Sequence, residues 1–304
     1  MNNPILAFSA RRRMRSVRTP AMLTLYALAL AGAAYALIYA PFLRPSIRLA
    51  EMGQGMWGYA GMVMLQFGLL ILIAPAATAG AISGERERQT LDLLRVTNTG
   101  VWHLVLGKLL ESFGFLALLV LCSLPMLSLV LLTGAATFAQ VLWGIAFLLV
   151  SALALLSVGI FCSALFQRTV TSTVVSYLLV FGIGLVTLLP VYYDVKHIGK
   201  LYDAMNIAGQ PLHEIAYVPI SFVLNPALGL FALLEDQLGL FGNMLWSLSY
   251  TLGNTESYLP FGKCALGCML FMLGASAALT VLAVLCMRTR GAKPPKAKRK
   301  GKAD

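Results

Sequence analysis

The sequence predicts an all-α polytopic membrane protein with about six transmembrane helices. Both termini are expected on the cytoplasmic side, with an amphipathic helix in the loop between spans 2 and 3. Three observations predict this. Of the 304 residues, 59% are hydrophobic and only 12% are charged, with a mean hydropathy of +0.81, whereas a globular domain carries roughly 25% charged residues. The apolar residues fall in several runs of about 20 or more, long enough to cross a bilayer core. Charge is confined largely to the two tails and one interior block. The net charge of +11 therefore reads as membrane topology, and no nucleic-acid partner is expected.

Residues 1–20 are expected to form a cytoplasmic interfacial helix. Ile5, Leu6, Phe8, Met14 and Val17 alternate there with an arginine cluster, Arg11, Arg12, Arg13, Arg15 and Arg18. Such a helix lays its apolar side into the headgroup region and turns its arginines to anionic lipid. A cleavable leader is not expected, because the apolar run that follows is longer than a leader core. Spans 1 to 5 occupy 21–192. Span 1 covers about 21–40 and ends at Pro41, and span 2 covers about 58–82, with Gln66 inside it and Pro75 near its end. An inner loop takes up 83–103. Span 3, about 104–133, is longer than the roughly 20 residues a bilayer needs, and Lys108 and Glu111 in its first turns are spaced to pair. A tight turn over Gly134 to Thr137 leads into span 4, about 138–166. Span 5, about 170–192, closes on the aromatic pair Tyr192-Tyr193, suited to an interface.

Residues 193–260 contain an apolar piece, 215–234, but also Pro211, Pro219, Pro226 and Pro260. A seventh span there would place the basic tail outside, against the positive-inside rule. The segment is therefore expected outside, with short or re-entrant helices, followed by span 6 over 261–287 and a basic cytoplasmic tail over 288–304. Eighteen Lys and Arg then lie inside and five outside, while seven of the twelve acids lie outside.

The chemistry of an enzyme is missing. There is no G-x-x-x-x-G-K-[ST] phosphate cradle, since Gly107-Lys108 is followed by Leu109, and no H-E-x-x-H or G-x-S-x-G. His103, His197 and His213 are scattered. The deep spans lack the charged residues that mark proton relays; Gln66 and Gln140 are read as helix-to-helix glue. Cys264 and Cys268, four apart, are read as packing residues without a His or carboxylate to complete a metal site. The carboxylates and imidazoles of Asp194, His197, Asp203, His213 and Glu214 are read as a solvated loop. No catalytic, cofactor-binding or metal-binding residue is expected.

The positive signal is the block Glu85-Arg86-Glu87-Arg88 and its continuation to Val96. Wound as a helix, ERERQTLDLLRV gathers Thr90, Leu91, Leu93 and Leu94 on one arc and Glu85, Arg88, Asp92 and Arg95 on the other, where neighbours of alternating sign can pair. Alternating acid and base is a poor topogenic signal, because acids contribute little to orientation. A docking face for a soluble partner accounts for the alternation better than a solvated loop does.

These residues carry a resemblance. Ile82-Ser83-Gly84-Glu85-Arg86-Glu87, continuing through Thr90-Leu91-Asp92-Leu93-Leu94, resembles the I-x-x-E-R-E-x-x-T-L-(D/E)-L-L block of the permease subunits of ABC-2 type transporters. Pro75 before it, Trp102 and Gly107-Lys108 after it, and Asn3-Pro4-Ile5-Leu6 at the start are similar to the same family. The chain departs from the family pattern at Phe8-Ser9, where a basic-acidic pair is common, and at Asn98 and Val101, where prolines are common.

The resemblance implies a membrane-spanning permease subunit of an ATP-driven transporter, more often an exporter, in the plasma (inner) membrane. It implies two permease protomers, alike or different, and ATP-binding cassette subunits that hold the ATP and Mg. The 85–96 helix would be the coupling element, with Glu85, Arg86, Glu87, Arg88, Thr90, Leu91, Asp92 and Leu94 against the partner and Gly84 as a hinge. The alternative is a membrane scaffold or assembly protein whose charged loop recruits a cytosolic partner that is not an ATPase.

Overall fold

The structure, a computed structural model, describes residues 18–39, 52–89, 100–132, 134–194, 196–197, 200, 219–239 and 261–291. Among these the chain is helical, with no strand. Six helices are long and apolar enough to cross a membrane: Pro20–Leu37, Gly55–Glu87, Val101–Leu132, Phe138–Leu165, Thr169–Asp194 and Phe261–Thr289. The protein is thus a multi-pass membrane protein with the six spans expected from hydropathy. Most of the expected interfacial helix over 1–20, and the tail beyond Gly291, lie outside the described residues.

Span 1 is α1 (Arg18–Ala34), which passes into a wider-wound turn over Tyr35–Tyr39. Span 2 is α2 (Met52–Thr78), joined by a turn to the short α3 (Ser83–Glu87). Pro75 sits inside α2, and the hydroxyl of Tyr177 donates to the carbonyl of Leu72, one residue past the carbonyl that a proline at this position leaves without its ladder donor. Span 3 is two pieces, α4 (Val101–Cys122) and α5 (Leu124–Leu132), divided at Ser123. Pro125 cannot donate to the carbonyl four residues back, and the Ser123 hydroxyl donates to Val120 O at 2.6 Å where the ladder fails.

Gly134, at φ +68°, makes the turn that follows. Thr137 then caps α6 (Phe138–Leu165) reciprocally with Gln140. Span 5 is α7 (Thr169–Val186), continuing helically over 189–194. Two short helices, α8 (Ile220–Leu224) and α9 (Pro226–Leu238), precede α10 (Phe261–Gly291), which is span 6.

The core is organised around α6. In an 18-residue apolar stretch of span 4, 56% of the residues are buried, against 6% in the corresponding stretch of span 5. In a bilayer, lipid is as apolar as leucine, so helices associate by close approach and polar contacts. The buried side of α6 follows that rule, with Gly144, Ser151, Ala152, Ser157, Gly159, Ser163 and Ala164 among its buried residues. A Cβ at Gly159 would stand 2.0 Å from Thr78 Oγ1, and one at Gly144 would stand 2.7 Å from the Tyr59 hydroxyl. These two glycines set how closely α2 and α6 cross. On α7 the buried residues are Ser172 and Ser176, while Val174, Leu178, Phe181 and Leu185 face outward. Serines inward and leucines outward is the arrangement of a helix solvated by lipid.

At the end of the bundle away from the charged block, polar groups do the joining. Tyr59 Oη donates to Gln140 O at 3.0 Å, and Gln140 Nε2 donates to Gln237 O at 2.6 Å. Asn225 caps α9 by accepting from Ala227 N at 2.9 Å and donates from Nδ2 to Gly184 O of α7 at 3.0 Å. Asp194 is buried and accepts from Ser221 N at 2.9 Å. Asn225 therefore lies level with Gly184, ten residues before Asp194 in the chain. The α8–α9 pair dips into the bundle along α10: Gly229 packs on Cys268 and Val223 on Gly267. The rest of 201–260 lies outside the described residues, including Asp203, His213 and Glu214.

Gln140 joins helices as expected; Gln66 does not. Gln66 is fully buried in α2, and neither its amide nitrogen nor its oxygen has a hydrogen-bond partner among the described residues. An unpaired buried polar group costs about 1–3 kcal/mol. Gln66→Met, similar in volume and apolar, is expected to hold or raise the unfolding temperature of the detergent-solubilised protein. A drop of several degrees in a fluorescence melt would show that the amide is bonded.

Candidate functional site

The charged block begins where α2 runs out. Residues 79–82 form a turn, and α3 follows with Gly84 N donating to Gly80 O at 3.0 Å and Arg86 N to Ile82 O at 3.1 Å. Ile82 N and Ser83 N instead reach across to α6, both donating to Ser163 Oγ at 2.9 Å. Ser83 Oγ in turn donates to Ala79 O at 2.8 Å. All of these are buried. One serine hydroxyl thus satisfies two backbone donors at the joint between span 2 and the charged block.

Each of the first three charges then meets a different span. Glu85 pairs with Lys108 of α4, with Nζ 2.7 Å from Oε1, and Lys108 also lies 3.9 Å from Glu111. Arg86 donates from Nη1 to Phe166 O at 3.0 Å and from Nη2 to Ala164 O at 3.4 Å. Those carbonyls close α6, and a guanidinium there complements the negative end of the helix dipole. Glu87 accepts from Thr169 Oγ1 at 2.8 Å. Thr169 opens α7, so the carboxylate stands at that helix's positive end. A compact block of alternating sign is what three differently polarised neighbours require.

The structure changes the reading of this block in two respects and adds a contact. Glu85 belongs to the ion pair with Lys108, 23 positions away in sequence, not to a ladder of neighbours along one helix. The helix expected to run unbroken over 85–96 stops at Glu87. Arg88 and Gln89 make a turn in which Gln89 takes a φ of +56°, a left-handed conformation that an α-helix cannot pass through. Gly84, expected as a hinge, also packs closely: a Cβ there would lie 3.3 Å from Thr169 Cγ2, so the missing side chain lets α3 close on α7. Thr90, Leu91, Asp92 and Leu94 lie outside the described residues.

Of the predicted partner-facing residues that are described, Glu85 and Arg86 are half-buried toward their own bundle, and Glu87 and Arg88 are exposed. Exposed beside them are Gln89, Gln167 and Arg168, with Trp102 and His103 at the start of α4. Ser163 is the residue that sequence reasoning missed. Nothing local distinguishes it from the other serines of span 4. Among the described residues no group of three or more His, Cys, Asp or Glu is placed to hold a metal.

Compared with known proteins, the chain matches no protein-family model and no curated protein.

Ser163→Ala would strand two buried amides, each at about 1–3 kcal/mol. The expected result is a fall of several degrees in the melting temperature, larger than for Ser157→Ala, whose hydroxyl bonds only within its own helix to Ala154 O. Equal melts for the two variants would contradict this assignment.

Proposed function

We propose that the chain is the membrane-spanning permease subunit of an ATP-driven transporter of the ABC-2 type, driven by a separate ATP-binding subunit that docks at the charged end. The observation that carries this reading is the three-way anchoring of α3. Glu85, Arg86 and Glu87 reach spans 3, 4 and 5 respectively. A displacement applied to the exposed edge at Arg88 and Gln89 is therefore delivered to three spans together. A scaffold that only recruits a partner needs exposed charge, and has no use for such anchoring.

On this reading ATP and Mg are held by the partner, and this chain contributes no catalytic residue. Two permease protomers assemble in the plasma (inner) membrane, and cargo moves outward. The positive-inside rule sets the charged end and both termini in the cytoplasm. The amphipathic continuation beyond Gln89 supplies the remainder of the docking surface, with Thr90, Leu91, Asp92 and Leu94 in it. Gly84 serves as the tight seat of the coupling element on span 5.

Two measurements test the reading. Arg88→Glu reverses an exposed charge without touching the anchoring contacts, so the melting temperature should hold while a co-purifying Walker-type ATPase is lost roughly tenfold, the scale of a desolvated charge contact of about 1.4 kcal/mol. Capture of a partner lacking a nucleotide site would favour the scaffold instead. A reporter fused after Met287 is expected to read as cytoplasmic, and an external signal would sink the orientation.

A further inference from the structure

The far end of span 5, where α7's helical continuation leaves the bundle, holds a cavity of about 280 Å³. Its polar lining includes Lys196, His197, Lys200 and Tyr193, and its apolar walls are Pro190 and Ile220. Lys196 and Lys200 both line the cavity, and both are exposed. The carboxylate of Asp194 also lines the cavity, but it is buried and accepts the Ser221 amide at 2.9 Å. Two ammonium groups against one carboxylate leave the lining with positive charge, and each ammonium offers three donors and no acceptor. That chemistry recognises a phosphate group.

We propose that this cavity binds the phosphate of an anionic phospholipid headgroup. Depth favours a lipid over free phosphate. Tyr192 and Tyr193 form an edge-to-face pair with centroids 5.8 Å apart, and both are exposed, as aromatic side chains are at a membrane–water boundary. Toward the membrane on the same helix, Leu185, Val186, Leu188 and Leu189 are exposed. Acyl chains can lie along that strip while the headgroup reaches the lysines. The site needs only the membrane setting, and does not rest on the transporter reading.

The test uses the full-length protein in nanodiscs containing equal phosphatidylglycerol and phosphatidylcholine, with retained lipid counted by native mass spectrometry. Phosphatidylglycerol should be enriched, and Lys196→Gln with Lys200→Gln should reduce that enrichment roughly tenfold or more, given about 1 kcal/mol per basic residue near a membrane surface. Lys263→Gln removes an exposed lysine outside the cavity lining and should leave enrichment unchanged. Persistence of the enrichment against millimolar inorganic phosphate supports a lipid occupant; displacement by it would keep the phosphate chemistry but overturn the lipid assignment. Equal retention of the two lipids, unchanged enrichment in the double variant, or an equal loss in Lys263→Gln would overturn the site.

Discussion

Two amides on one hydroxyl hold this structure's most consequential joint together. Ile82 N and Ser83 N sit where the ladder of span 2 has ended and the ladder of α3 has not begun. In an apolar surrounding with no water to take them, they must find an acceptor inside the protein. Ser163 supplies it. Once that joint is fixed, the next residues are already within reach of three other helices, and charges that would be costly elsewhere have defined partners. The placement of Arg86 against the end of α6, and of Glu87 against the start of α7, follows from the joint.

The same economy recurs at the opposite end. Gln140, Asn225 and Asp194 each tie a helix end or turn to a different element, using one short side chain apiece. Between the two ends the spans meet at close-approach glycines and serines and at buried side chains such as Leu70, Leu116, Leu119, Phe147 and Leu156. The protein is therefore joined by polar contacts at its ends and by close approach in its middle. On span 5, by contrast, the leucines face outward and the two serines inward.

Much of the architecture was legible in the sequence. The six spans follow from run length and hydropathy, and the turn at Gly134 to Thr137 and the Lys108–Glu111 pair follow from local chemistry. What was not legible depends on residues far apart in the chain. The reach of Glu85 to Lys108, or of Arg86 to Phe166, crosses helices whose order in space no local pattern records. Reading the charged block as one helix paired its charges with their neighbours, because neighbours were the only partners in view. The break at Gln89 was hidden for a different reason: glutamine is a good helix former, and only its surroundings place it at positive φ. Gln66 shows the converse, a residue whose type suggested bonding and whose position supplies no partner among the described residues.

Span 5 combines two facts that sharpen each other. Little of its length is buried, yet it is fastened near both ends, at Thr169 to Gly84 and Glu87, and at Gly184 and Asp194 to the dipping pair α8–α9. Mechanically that is a tie rod, held at its couplings and braced between them by the Tyr177 hydroxyl on span 2. Load entering at one coupling leaves at the other, with the intervening lipid as its bearing.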